Sequence, residues 1–280
     1  MVKNENEKMN AKCRQSGVTL TEMTAVVAVI ALLVTFGLPA IRTLHSSFES
    51  GASVRAMISA GLASARAIAA REQHYAGIRF QKAYNPDDPE QLKASQYMIF
   101  IVHDFGRTGL ENGFRAVEGL KPIKLPETIG VMDSTLIREK VRESILLGEE
   151  WEPAGLQELN DLTTFSIVFS PSGKMVIHDV RARNRDGAPM WPDFLDNSQD
   201  DVFNTQSRVT DPVNPVGMFI QDDYEVVLGL KEELARNSFV IYDRKEFKQA
   251  YEKGQGYSNC LVRLVPIYIN TYTGTIISVD

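Results

Sequence analysis

The longest apolar run in the chain is "MTAVVAVIALLVTFGLPAI", Met23 to Ile41, nineteen residues without a charge, interrupted only by Thr24, Thr35, Gly37 and Pro39. About 20 such residues cross the hydrocarbon core of a bilayer as a helix, so the pattern predicts a transmembrane helix over residues 18–41. Pro39 removes a backbone donor and clashes with the preceding turn, which together with Gly37 predicts a kink near the outer end of the span. Beyond it, Ile41, Leu44, Phe48, Ala52, Ile58, Leu62, Ala65 and Ala69 recur at helical spacing, with one lapse at Arg55. That spacing predicts an amphipathic continuation over residues 42–73, hence one long helix from Val18 to about Gln73 whose outer half packs its stripe on a globular head.

From residue 74 the period changes. "YAGIRFQ" and "YMIFIVH" are β-rich runs separated by an Asn-Pro-Asp-Asp-Pro loop, and read as neighbouring strands. Asp133 or Ser134 is placed to cap a helix running to about Glu150. "TFSIVFSPSGKMVIHDV" predicts a hairpin turning at Ser-Pro-Ser-Gly, and "CLVRLVPIYINTYTGTIISVD" a closing hairpin turning at Asn270 to Gly274. Between them, residues 182–256 form an insertion: a Pro/Asp/Asn-rich stretch, then a helical "KEELARN", a strand-like "SFVIYDR" and a helical "KEFKQAYEKGQG". The expected class is α+β, a long N-terminal helix packed on an antiparallel β-sheet head spanning 74–280, with the insertion decorating one edge and more mobile than the sheet.

Composition narrows the function classes. The 280 residues are 44% hydrophobic, enough for a real core, and the net charge of -6 comes without a Lys/Arg cluster, which argues against nucleic acid as a partner. Cys13 and Cys260 form at most one bridge, and His45, His74, His103 and His178 are scattered without metal-ligand spacing, so no metal and no cofactor is assigned. Asp193, Asp196, Asp200, Asp201, Asp222 and Asp223 lack calcium-loop spacing and read as solvated loop carboxylates. Trp151 and Trp191, each beside prolines, read as core or loop packing before they read as a partner surface. "DFGRTG" at Asp104 has none of the companions of the kinase signature and reads as a turn, and Ser170 and Ser172 lack G-x-S-x-G. No catalytic residue is assigned.

Charge does set an orientation. Lys3, Lys8, Lys12 and Arg14 outweigh Glu5 and Glu7 ahead of the span, which keeps the N-terminus cytoplasmic and exports the head. Glu22, at the head of the apolar run, is the anomaly. A carboxylate at the bilayer centre costs on the order of 3 kcal/mol, less at an interface, so Glu22 is either a residue snorkelling at the edge or one that awaits a partner. The small-residue site "LPA" after the run is a poor secretory cleavage signal, and Gly17 is the better candidate for cutting.

Gly17-Val18-Thr19-Leu20-Thr21-Glu22 resembles the prepilin N-terminal motif of type IV pilins and type II secretion pseudopilins, with Val18 in place of the usual Phe and Thr21 in place of Ile or Leu. The resemblance implies cleavage between Gly17 and Val18 by a prepilin peptidase, which leaves residues 1–17 as a leader. It further implies N-methylation of Val18, and pairing of Glu22 with the Val18 ammonium of a neighbouring subunit during assembly. "ASARAIAAREQHYAGIRF", with Ala65, Arg66 and Ala69 to Phe80, is similar to the helix-to-strand segment of minor pseudopilins of the general secretion pathway protein H/FimT family. Phe169, Pro171 and Gly173, then Asn270, Thr273 and Gly274, resemble that family's two hairpin turns. Typical members are much shorter across 182–256.

The reading is a pilin-like minor pseudopilin, a non-enzymatic subunit of a type II secretion pseudopilus. It would be single-pass in a bacterial inner membrane with a periplasmic head, and partnered by prepilin peptidase, other pseudopilins and membrane lipid. The alternatives are a minor type IV pilin for pilus assembly, adhesion or DNA uptake, and a membrane-tethered enzyme, which a deep pocket lined by perturbed carboxylates would favour.

Overall fold

The structure, a computed structural model, describes residues 51–85, 92–185, 200, 202–222 and 233–277. The chain divides into two compact units, Met1–Phe48 and Glu49–Asp280, and all described residues belong to the second.

Helix α1, Gly51–Glu72, forms where the apolar stripe predicts one: Val54, Ile58, Leu62, Ala65 and Ala69 are fully buried, while Arg55 faces solvent. Its Gly61 permits a close approach to the sheet, since a Cβ there would lie 2.5 Å from the sulfur of Met98. The chain reverses at Gln73 through a left-handed φ of 56° and enters β1, Ala76–Lys82. β1 pairs antiparallel with β2, Gln96–His103, on one side and with β6, Phe165–Phe169, on the other. Beyond β2 come β3, Gly113–Ala116, and β8, Asp179–Arg183, joined to each other in parallel, with β11, Glu233–Leu234, at that edge. β7, Met175–Val176, closes the other edge, and β4, Ile123–Lys124, pairs the start of β2.

Strand alternation divides the residues of this sheet between two cores. Ile78, Phe80, Met98, Phe100, Phe165, Ile167 and Phe169 face α1. Ile99, Ile101, Phe114, Val168, Val180 and Ala182 face the opposite side, where Val202, Phe203 and Phe219 cover them. This back layer consists of the short parallel pair β9, Phe203–Asn204, and β10, Phe219–Ile220, with one turn of helix at Gln206–Val209 between them.

A second sheet has the order β14-β13-β12-β5: Ile276–Ile277, Ile267–Ile269, Ser238–Asp243 and Ile129–Asp133. One face shares the α1 core through Val131, Phe239, Ile267 and Ile269. The other packs Met132, Val240 and Tyr242 against helices α2, Ser134–Leu147, α3, Leu156–Thr163, and α4, Arg244–Tyr251, and against a helical turn at Gly256–Asn259. Gln96 joins the two sheets: its Nε2 donates to Val131 O at 2.8 Å and its Oε1 accepts from Val131 N at 2.8 Å, reproducing a backbone pair at the edge of β5.

Two expectations are overturned. The pilin-like class, one long N-terminal helix on an antiparallel sheet, gives way to a mixed α/β fold: α1 has 22 residues, the larger sheet contains the parallel pair β3 and β8, and a separate sheet with its own helices completes the head. The reason is the chain beyond residue 182, whose strands β11 and β12 and whose back layer are built into the fold. The single-pass inner-membrane location is also corrected, because among the described residues no helix is long and apolar enough to cross a membrane. Residues 18–41, on which that expectation rested, lie outside the described ones.

Smaller corrections have local causes. The two hairpins lie in different sheets, since β6 and β7 join the first and β13 and β14 the second. β12 is an inner strand between β13 and β5, so the insertion is not an edge decoration. Within "KEELARN", Glu233–Leu234 is strand because β8 offers a free edge at Val180 and Asp179. Asp104 caps a one-turn helix at Phe105–Thr108 by accepting from Arg107 N, and also accepts from Arg115 Nε at 2.6 Å.

Candidate functional site

Gly17, Val18, Glu22 and Pro39, the residues assigned to cleavage, methylation, assembly and kinking, lie outside the described residues, as do Cys13, His45 and Trp191. The resemblance to the H/FimT family rests also on three segments of the head, and these the structure places together. Arg66 projects from α1 and its Nη1 donates to Thr273 O at 2.8 Å, across 207 residues of sequence. Gly173 meets the same guanidinium: a Cβ there would stand 2.9 Å from Arg66 Nε. Gly274 meets its stem and the ring of Phe169, at 3.6 Å from Arg66 Cδ and 2.8 Å from Phe169 Cε1.

Each turn is locally specified. Ser170 O accepts from Gly173 N at 2.8 Å, with Pro171 in the second position, where its fixed φ suits a turn, and Gly173 at φ 77°. In the other turn Asn270 Oδ1 accepts from the backbone N–H of Tyr272 and Thr273, Asn270 O accepts from Gly274 N at 2.8 Å, and Gly274 has φ 68°. Met175 N donates to Thr271 O at 2.8 Å, so the turns are bonded to each other directly. Between them and α1 lies a cleft of about 420 Å3, floored by Ala63, Arg66 and Ala70 and walled by Gly173 and Gly274. No carboxylate, histidine or cysteine lines it, and its hydroxyls, on Ser59, Ser172, Thr273 and Thr275, have no general base among the lining residues.

Titratable groups gather elsewhere. On the opposite side of the first sheet, Arg79 pairs with Asp222 at 2.7 Å and with Glu233 at 2.8 Å. Burial pushes Glu233 up to about 7, against the pull of Arg79, and raises Asp222 for the same reason. Sequence reading missed this cluster, because Arg79 alternates with Ile78 and Phe80 as a solvent-facing residue would. His74, His103 and His178, dispersed in sequence, converge at one end of the first sheet, with ring centroids 6.5 Å apart for His74 and His103 and 6.1 Å for His103 and His178. Among the described residues no group of three His, Cys, Asp or Glu is placed to hold a metal. Of the acidic loop residues, Asp200 accepts from Val202 N and Arg185 N and Asp222 is held by Arg79, so both are bonded inside the fold. Trp151 donates through Nε1 to Glu158 Oε1 at 2.8 Å and packs beside Tyr257. Cys260 is buried and reduced, and burial pushes its thiol up to about 11, away from reactivity.

Comparison with protein-family models, with curated proteins and with solved structures finds no match to this chain.

Proposed function

We propose that the chain is a minor pseudopilin, a non-enzymatic structural subunit of a type II secretion pseudopilus, cut by a prepilin peptidase between Gly17 and Val18 and joined to other pseudopilins through Glu22. The observation that carries the reading is the junction at Arg66. Three segments singled out by one resemblance, 65–80, 169–173 and 270–274, are far apart in sequence and meet around one side chain. A chance likeness of short Ala/Arg-rich and turn motifs gives no reason for them to touch.

The test is co-production of the full chain with a prepilin peptidase, followed by mass spectrometry of the N-terminal peptide. A start at methylated Val18 is expected, and a start at Met1 or after Ala40 overturns the reading. Glu22→Gln should then be cleaved normally yet recover fewer of the other pseudopilins on co-purification at equal protein level, because a neighbour's ammonium loses its carboxylate. Equal recovery would leave Glu22 a residue without an assembly role.

A further inference from the structure

The Arg79 cluster joins the first sheet to its back layer through ion pairs and the hydrogen bonds around them. Every nitrogen of the guanidinium has an acceptor: Nε donates to Gln81 Oε1 at 2.8 Å, Nη1 to Glu233 Oε1 at 2.8 Å and Nη2 to Asp222 Oδ1 at 2.7 Å. Gln81 Nε2 passes the connection on to Ile220 O in β10 at 2.8 Å. Asp222 Oδ2 accepts from Ala182 N in β8 at 2.7 Å, Asp222 N donates to Ala182 O, and Asp222 O accepts from Arg183 Nη1 at 3.0 Å. Glu233 Oε1 also accepts from Ser166 Oγ in β6 at 2.7 Å. One arginine of β1 thus fastens the end of the back layer and the start of β11 to β1, β6 and β8.

The charges facing the two carboxylates are Arg79 from β1, Arg181 and Arg183 from β8, and Arg236 after β11, which itself bonds Asp133 Oδ2 of β5 at 2.6 Å. Arg79 and Asp222 are each 1% exposed, whereas Glu233 retains 18% and so can exchange a proton with water. Two carboxylates share one guanidinium in a site with little solvent, so ionising both is costly and the second proton is held.

We propose that this cluster is a proton-operated latch, in which one proton taken up by Glu233 beside the buried Arg79–Asp222 pair tightens the hold of Arg79 on the back layer, so that the layer loosens as the surroundings pass from mildly acidic to mildly alkaline. A neutral Glu233 still accepts from Arg79 and Ser166 through Oε1, while the repulsion from Asp222 and the cost of a second buried charge are removed. Loosening uncovers the apolar face of Ile99, Ile101, Phe114 and Val168 that the layer seals. The latch stands or falls independently of the assembly role.

Hydrogen exchange of the full chain, followed by mass spectrometry at about pH 5.5 and about pH 8 and corrected for the intrinsic pH dependence of amide exchange, measures the latch. If Glu233 regains its ordinary value of 4.5 when the layer opens, the opening equilibrium over residues 202–222 should rise about thirtyfold between those two conditions. Residues 58–69 of α1, on the opposite face of the first sheet, serve as the reference and should not follow. Glu233→Gln keeps an acceptor for Arg79 and Ser166 but has no titrating carboxyl, so the opening of its layer should depend on pH much less than in the wild type, with Asp222 alone left to titrate. The proposal is overturned if the wild-type layer shows no pH dependence, if the reference changes in parallel, or if Glu233→Gln keeps the wild-type dependence. Should the variant fail to fold, the wild-type comparison alone decides for or against the latch.

Discussion

Arg66 and Arg79 stand at opposite faces of the same sheet and illustrate what a guanidinium does in two settings. Arg66 is half-buried and donates to a neutral carbonyl of a turn. Replacing it with Ala should lower stability by about 1–2 kcal/mol, the worth of one hydrogen bond plus the packing of its stem. Gly274→Ala at the same junction should cost about 1–3 kcal/mol, because a left-handed φ of 68° is strained for alanine and its Cβ would press the buried ring of Phe169. Chemical denaturation of both variants checks these values. Arg79 neutralises two carboxylates, one of them almost wholly buried, so Arg79→Met should be far worse, about 3–5 kcal/mol, since Asp222 and Glu233 are left without their counter-charge. The same denaturation curves test it, and a cost near that of Arg66→Ala would mean the ion pairs contribute little.

Among the elements, the join between the two sheets depends on Gln96, which is 1% exposed and satisfies Val131 N and O as well as Thr163 O. Gln96→Leu conserves much of the volume but leaves three buried backbone groups without that partner, so a loss of about 2–4 kcal/mol is expected. The loss should be accompanied by faster exchange of the Val131 amide. If that amide stays as protected as in the wild type, the sheets are held by their shared core and not by the glutamine. The helices are set locally: Asp133 and Asp243 accept from the first N–H groups of α2 and α4, and Gly148 ends α2 with a left-handed φ.

At the scale of the whole molecule, the shifted carboxylates among the described residues predict an acid-side stability optimum. The folded-state pKa of Glu233 is pushed up to about 7 by burial, so between its ordinary 4.5 and that value the folded chain binds more protons than the unfolded one. Stability therefore rises as the pH falls through this window, and is lost as the pH climbs through about 7. Asp133 and Asp222, raised by burial, act with the same sign. Asp104 acts oppositely: burial raises it, but the bonds from Arg115 and Arg107 hold it below its ordinary 3.8, so its contribution is present above that value and lost as the pH drops below it. Thermal melting across pH should show greatest stability in mildly acidic solution, with a decline on both sides. Glu233→Gln should remove part of the alkaline decline and leave the acid limb unchanged; a wild-type maximum above neutrality would contradict the assignment.

The sequence by itself determined the elements whose cause is local. The stripe of Ile58, Leu62, Ala65 and Ala69 writes α1 into the chain, Asp133 marks the start of α2, and Pro171-Ser172-Gly173 and Asn270 to Gly274 write two turns, because periodicity, caps and positive φ are properties of a few neighbouring residues. Only the tertiary structure decided which strands pair and what lies inside. The insertion's strand β12 entered the middle of a sheet, β3 and β8 aligned in parallel, and Arg79, alternating in sequence like a solvent-facing residue, was sealed beneath residues 202–222. A β-strand has two faces, and its own sequence specifies their alternation; whether the second face meets water or another layer depends on chain more than a hundred residues away.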